Sequence, residues 1–354
     1  METYRGGSPP GKRVFMTFSI LIPVYKAEKY LEETVASVLR QKGDLEIVLV
    51  EDGSPDGSGE ICDRLAAAHP DIIRAVHEPH RGTVATRRTA VREARGDYLV
   101  WLDADDILAD NALGVLSEAL ESDPGPDAVL YDLSFFFEDG RPDVVRPKIF
   151  PEKKMISGEA KKEIWEMLIG TNLLDGLVLK MIRADLMKND PTDYTALMDN
   201  PYSEDVCHCL WPLTEAENIL LLPEVLYRYR IHDGSVMHIF DEQNMDRRFN
   251  TARLSLFEEY LAKWGLDDDE HRSKLKANAY KSIVNDVLYF LEQGEDKKKI
   301  DAFVKRFNAE HSELREIAAK PFLGTRQRII LKLFSQGRTG LLLLMNKVWR
   351  KLRG

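Results

Sequence analysis

Three cysteines in 354 residues cannot build the disulfide framework on which small secreted folds depend. No apolar segment near the start resembles a secretory leader, and Leu341-Leu-Leu-Leu-Met345 is far too short for a membrane span, which takes about 20 apolar residues. A reducing cytoplasm is therefore the expected setting. Several chemistries are missing as well. There is no G-x-x-x-x-G-K-[ST] phosphate loop and no G-x-G-x-x-G dinucleotide turn. His77-Glu-Pro-His80 has the wrong spacing for a helical zinc site and contains a proline. Cys207-His208-Cys209 points its side chains in different directions on a helix and has no second ligand pair, so it reads as packing thiols.

What is present is an ordinary globular balance, 44% hydrophobic with a net charge of -10, on a chain long enough for two or three domains. The most informative stretch is Tyr98-Leu-Val-Trp-Leu-Asp-Ala-Asp-Asp106, a hydrophobic strand that runs into Asp103, Asp105 and Asp106. Open α/β folds hold ligands at the carboxyl edge of their strands. Two readings fit these acids. Clustered carboxylates repel unless a cation lies between them, and a hard ion such as Mg²⁺ or Mn²⁺ relieves the conflict and grips a diphosphate. Alternatively, they cap a helix starting near Asp110.

Two earlier segments have the same form. Phe18-Ser-Ile-Leu-Ile-Pro-Val-Tyr25 is an apolar strand closing on Pro23 and Tyr25, followed by a helix with Leu31, Val35, Val38 and Leu39 on one face. Leu45 to Val50 is a second strand delivering Glu51-Asp-Gly-Ser-Pro-Asp-Gly57. Ile72 to Val76 reads as a third strand, Thr83 to Arg95 as a helix and Tyr98 to Leu102 as a fourth strand. Near-continuous apolar strands separated by helices predict a buried, mainly parallel sheet. Three polar loops then meet at one edge, bringing an aromatic ring, carboxylates and the basic segment Arg81-Gly82…Arg87-Arg88 together. Arginine pairs with phosphate, Tyr25 can lie flat on a base, and Asp52 can accept the imide hydrogen of uracil. Taken singly, each is equally an ordinary aromatic, turn residue or solvated helix face.

Residues 18–235 resemble the inverting family-two glycosyltransferases of the GT-A fold. The resemblance rests on an ordered set: Ser-Ile-Leu-Ile-Pro-Val-Tyr25, Val-Glu-Asp-Gly-Ser54, Gly82 with Arg87, Leu-Asp-Ala-Asp-Asp106, Ser-Glu-Asp205 and Tyr-Arg-Tyr-Arg-Ile-His-Asp-Gly-Ser235. It implies a Rossmann-like mixed, mainly parallel sheet flanked by helices. It also implies that Pro23, Tyr25 and Asp52 hold the nucleobase, that Arg87 lies near ribose or phosphates, and that Asp103 and Asp105 form the metal and diphosphate motif with Asp106 beside it. Asp205 matches the family's general base, and His232 a frequent histidine that reaches the metal or diphosphate. Glu204 and Asp205 also suit the first turn of a helix from Val206 to Leu213. Glu51, Arg88 and Ala90 depart from the usual aspartate, asparagine and glycine. Lys180 falls where relatives carry a basic residue near the cleft. Arg228 and Arg230 support phosphates or flank a strand, and Trp165 and Trp211 stack on sugars or, the commoner case, fill the core.

The implied reaction moves a sugar with inversion from a nucleotide sugar, expected to be a UDP-sugar, to a hydroxyl of a glycan or lipid-linked glycan. A silent nucleotide-sugar or glycan binding module and a sugar-phosphate nucleotidyltransferase are the alternatives, the latter disfavoured by the missing N-terminal phosphate loop. Residues 1–15 read as a loose tail, 16–240 as the catalytic domain and 241–320 as a helical domain, from Leu254, Phe257, Leu261, Ile283, Val287, Phe290 and Leu291 at helical intervals. Residues 321–354 form a basic amphipathic segment. Residues 325–354 hold eight Lys or Arg and no Asp or Glu. That composition suits a helix at the surface of an anionic membrane, placing the protein at the inner face of the plasma membrane. A basic helix packed on the protein's own acidic surface is the alternative. Nucleic acid is not an expected partner, because the remaining surface is acidic.

Overall fold

The computed structural model describes residues 16–122, 124–198, 200, 202, 204–232 and 242–351. The expected tail at 1–15 and the Asp-Gly-Ser end of the last motif lie outside them. The first half alternates strand and helix as β1 (Phe18–Val24), α1 (Leu31–Leu39), β2 (Leu45–Asp52), α2 (Ser58–Ala68), β3 (Ile73–Glu78), α3 (Thr83–Glu93) and β4 (Tyr98–Trp101). Then come β5 (Ile107–Leu108), α4 (Ala112–Leu120), β6 (Ala128–Phe137), β7 (Val144–Val145), β8 (Lys154–Ser157), α5 (Lys162–Gly170), β9 (Lys180–Arg183), α6 (Ala184–Lys188), α7 (Glu204–Glu215) and β10 (Asn218–Ile231). The remainder is helical: α8 (Glu242–Arg248), α9 (Thr251–Lys263), α10 (Asp269–Glu292), α11 (Lys297–Glu310), α12 (Leu314–Ile317), α13 (Thr325–Ser335) and α14 (Thr339–Lys351).

The sheet runs β3-β2-β1-β4-β9-β6-β10-β5, with β7 paired to β6 and β8 to β10. β1 is parallel to β2 and β4, β2 to β3, and β6 to β10; β9 enters antiparallel between β4 and β6. This is the mixed, mainly parallel sheet flanked by helices that the family resemblance implied. Ile20, Leu21, Ile22, Val48, Leu49, Val50, Leu99 and Val100 are fully buried, because helices cover both faces of a parallel sheet. β2 runs two residues further than expected, so Glu51 and Asp52 belong to the strand end and not to the loop. The helix-cap reading of the acid cluster fails on position: α4 begins at Ala112 with Asn111 as its N-cap, beyond all three aspartates.

Two apolar cores follow one another along the chain. The first joins the sheet to α9 and the start of α10 through Phe257, Leu261 and Trp264. Trp165 belongs to it, nearly buried and stacked on Trp264 at 4.7 Å, so this ring fills the core and offers no sugar platform. Trp211 packs at the same core's margin, with the ammonium of Lys263 5.3 Å from its ring. The second core gathers Ile283, Val287, Phe303, Phe307, Phe334 and Leu342, so α13 and α14 share one interior with α10 and α11. A clamp at His271 crosses from α10 to α5, its Nε2 2.8 Å from Glu166 and its Nδ1 2.7 Å from Asp268.

Candidate active site

The carboxyl ends of β1, β2 and β4, with the start of α3 and of α7, enclose a cleft of about 620 Å³. Pro23, Tyr25, Asp52, Arg87, Asp103, Asp105, Glu204, Asp205 and His232 all line it. Side chains as far apart in sequence as Pro23 and His232 thus meet because parallel strands end at one edge of the sheet.

At one end, Asp52 is buried and heavily engaged. Its Oδ1 accepts from Arg81 N at 2.8 Å, its Oδ2 from Gly82 N at 2.9 Å, and His80 Nδ1 lies 2.8 Å from Oδ2. The turn carrying these amides passes so close that a Cβ on Gly53, at φ +64°, would stand 2.7 Å from His80 N; glycine alone fits there. His80 stacks on Tyr25, centroids 4.4 Å apart and planes 15° from parallel. The two rings make a half-exposed aromatic shelf beside a carboxylate. Nothing in the local sequence around His77-Glu-Pro-His80 signals that the His80 ring turns onto Tyr25.

At the other end, the three aspartates separate by environment. Asp106 is buried and turned inward, accepting from Tyr227 Oη at 2.5 Å and from Arg230 N at 2.7 Å. Burial, with the charges of Asp105 and Asp103, pushes its carboxyl well above the ordinary range despite those two donors. Asp103 and Asp105 line the cleft itself. Burial raises the Asp103 carboxyl, the Asp105 charge adds to the effect, and Arg87 opposes it. His232 Nε2 lies 3.1 Å from Asp105 Oδ2. Two cleft-facing carboxylates with an imidazole on one of them are donors of the type a hard divalent cation takes, although among the described residues no three such groups stand close enough together to enclose one.

Arg87 is nearly buried and crosses the cleft: it pairs with Asp205 and approaches Asp103 at 3.6 Å and Glu204 at 3.5 Å. Glu204 and Asp205 open α7, whose N-terminal dipole favours both acids. Burial nonetheless raises the Glu204 carboxyl, with Arg87 drawing it back.

Other basic candidates lie elsewhere. Lys180 is wholly buried, donating to the carbonyls of Leu174 at 2.7 Å and Gly176 at 2.6 Å, so it ties a turn inside the core and does not reach the cleft. Arg228 pairs with the exposed Asp143 at 2.8 Å. Arg230 donates to the carbonyl of Asp105 at 2.6 Å and to Glu33 at 2.7 Å, bracing the acidic loop from behind. Arg88 leaves the cleft for the opposite side of α3, where its guanidinium lies 5.1 Å from the Tyr194 ring. Cys207 and Cys209 are buried, and burial of His208 lowers its pKa to about 3, leaving a neutral packing ring.

A mixed, mainly parallel sheet flanked by helices, with acidic strand ends meeting in one cleft, is the GT-A architecture. Residues 19–173, which carry Tyr25, Asp52, Arg87, Asp103 and Asp105, match Glycosyl transferase family 2. The chain is 27% identical to the uncharacterized glycosyltransferase EpsJ of Bacillus subtilis over 68% of this chain and 70% of that one. Identity to the glycosyltransferase GlyG of Streptococcus pneumoniae is also 27%, over 62% and 72%. Among solved structures, S. aureus TarS 1-349 in complex with UDP aligns over 95% of this chain and 92% of its own, with a TM-score of 0.62 at 17% identity. The TarS complex with UDP-GlcNAc aligns over the same shares with a TM-score of 0.54.

Proposed function

We propose that this glycosyltransferase takes a UDP-sugar, with UDP-GlcNAc the first donor to test, and passes the sugar with inversion to a hydroxyl of a glycan or lipid-linked glycan. The observation that carries the reading is the convergence of Tyr25, Asp52, Arg87, Asp103, Asp105, Asp205 and His232 on one cleft. The overall likeness to TarS, which binds UDP and UDP-GlcNAc, supports the donor class.

In this reading the uracil lies on the Tyr25 and His80 shelf, beside the carboxylate of Asp52. Asp103 and Asp105, with His232, would hold Mg²⁺ or Mn²⁺. Bound there, the ion would supply positive charge against the departing diphosphate. Asp205 takes the proton of the acceptor hydroxyl as its oxygen attacks the anomeric carbon. The bond from that carbon to the diphosphate oxygen breaks on the opposite face, and UDP leaves with the electron pair. A base positioned in this way contributes about 10²–10⁴ in rate. Arg87, paired with Asp205, orients that carboxylate. Asp106, buried behind the cleft, acts only by supporting the loop that carries Asp103 and Asp105.

Calorimetric titration of UDP, GDP and CDP with and without Mn²⁺ tests the donor reading. The expected result is UDP binding that Mn²⁺ strengthens; preference for GDP or CDP, or no binding at all, would overturn it.

A further inference from the structure

Helix α14 carries aliphatic side chains on its inward and its outward side. Leu342, Thr339 and Asn346 are buried and fix its inward face. At 3.6 residues per turn, Leu341, Leu344 and Val348 fall on the outward face, and there they are 42%, 58% and 48% exposed. Lys347 and Lys351 stand exposed beside them. A surface helix ordinarily turns polar residues outward, so an aliphatic stripe there calls for a partner.

The charges on this part of the chain say which partner. Had the basic segment been held on the protein's own acidic surface, its cations would be paired. Among the described residues, Arg350 alone of the seven cations on α13, α14 and their connection forms an ion pair, with Glu292 at 2.8 Å. Arg326 faces Asn346 and the ring of Trp349. Arg328, Lys332, Arg338, Lys347 and Lys351 meet no carboxylate among the described residues. Arg328 and Lys332 also border, with Arg315 of α12, a cavity of about 800 Å³ whose lining contains no acid. A second copy of this chain is a poor occupant, because a two-fold contact on the stripe would set Lys347 and Lys351 against cations of the same helix. An anionic bilayer matches both features, taking aliphatic side chains at the acyl boundary and cations at the headgroup phosphates.

We propose that α13 and α14 form a docking surface for an anionic membrane, with Leu341, Leu344 and Val348 entering the interface and the unpaired lysines and arginines meeting lipid phosphate. This goes beyond the transfer reaction and does not depend on which donor is used. The test is flotation of the full chain with phosphatidylcholine vesicles, with and without phosphatidylglycerol. The full chain is expected to float with the phosphatidylglycerol vesicles only, and high salt to weaken the association. Leu344→Asp with Val348→Asp, both on the solvent side, is expected to lower the bound fraction about tenfold while leaving the circular dichroism spectrum and thermal midpoint unchanged. Equal flotation on neutral vesicles, none on either kind, or full flotation of the double variant would each overturn the proposal. So would a dimer detected by light scattering that the double variant abolishes, which would assign the stripe to a second copy.

Discussion

Arg87 is ion-paired with Asp205 across the cleft, and the same buried guanidinium lies 3.6 Å from Asp103. One cation from α3 therefore links the acidic tip after β4 to the first turn of α7. Asp103 and Glu204 are each pushed upward by burial and drawn back by this arginine, so its charge is what keeps several acids tolerable in a small space.

Replacing Arg87 by methionine is expected to destabilise the protein by about 3–5 kcal/mol, the usual cost of leaving a buried charge partner uncompensated. Arg87→Lys should recover part of that stability and part of the turnover. Urea unfolding alongside steady-state kinetics reads both, and a fully stable methionine variant would contradict the bridging role.

The proposed base is tested by Asp205→Asn. Turnover should fall by about 10²–10⁴ while calorimetric affinity for UDP changes by no more than a few-fold. A variant retaining normal turnover would remove Asp205 from the mechanism.

Tyr25→Ala removes the shelf beside Asp52. Stacking of a base on an aromatic ring is worth about 1–3 kcal/mol, so the Kd for UDP should rise about 5- to 150-fold. Unchanged affinity would mean that the base lies elsewhere in the cleft.

Cation binding should depend on pH in a stated direction. Burial and the Asp105 charge raise the Asp103 carboxyl in the folded protein, so the folded state holds its proton to higher pH than the unfolded chain does. The cation must displace that proton, and the thermal shift caused by Mn²⁺ is expected to grow from pH 5 to pH 7.5. A shift constant with pH, measured by differential scanning fluorimetry, would count against Asp103 as a ligand.

The His271 clamp provides a separate titration. Burial lowers its pKa, but the hydrogen bonds to Glu166 and Asp268 outweigh it and the net shift is upward. Its stabilisation is thus present in full below the ordinary histidine value of about 6.5 and lost as pH rises through the raised one. The gap in thermal midpoint between the wild-type protein and His271→Gln should narrow from pH 6 to pH 8.

Much of the catalytic half was legible because its signals are local. Apolar runs ending in turn formers identify β1, β2 and β4, and the ordered acids and aromatics named the family. Legibility stopped where a side chain's role depends on direction. Asp103, Asp105 and Asp106 look equivalent in the chain, yet the turn after β4 sends Asp106 inward to Tyr227 and leaves the other two on the cleft. Lys180 and Arg88 carried the right charge for a phosphate site, but strand and helix rotation aimed them into the core and onto the far side of α3.

The chain by itself determined the strands, the cluster of acids at their ends and the surplus of cations near its close, since periodicity and composition act over a few residues. Only the tertiary structure decided that His80 stacks on Tyr25, that Arg87 joins Asp103 to Asp205 and that the leucines of α14 face outward. Those outcomes depend on how distant segments pack, and packing is a property of the whole sheet and its helices.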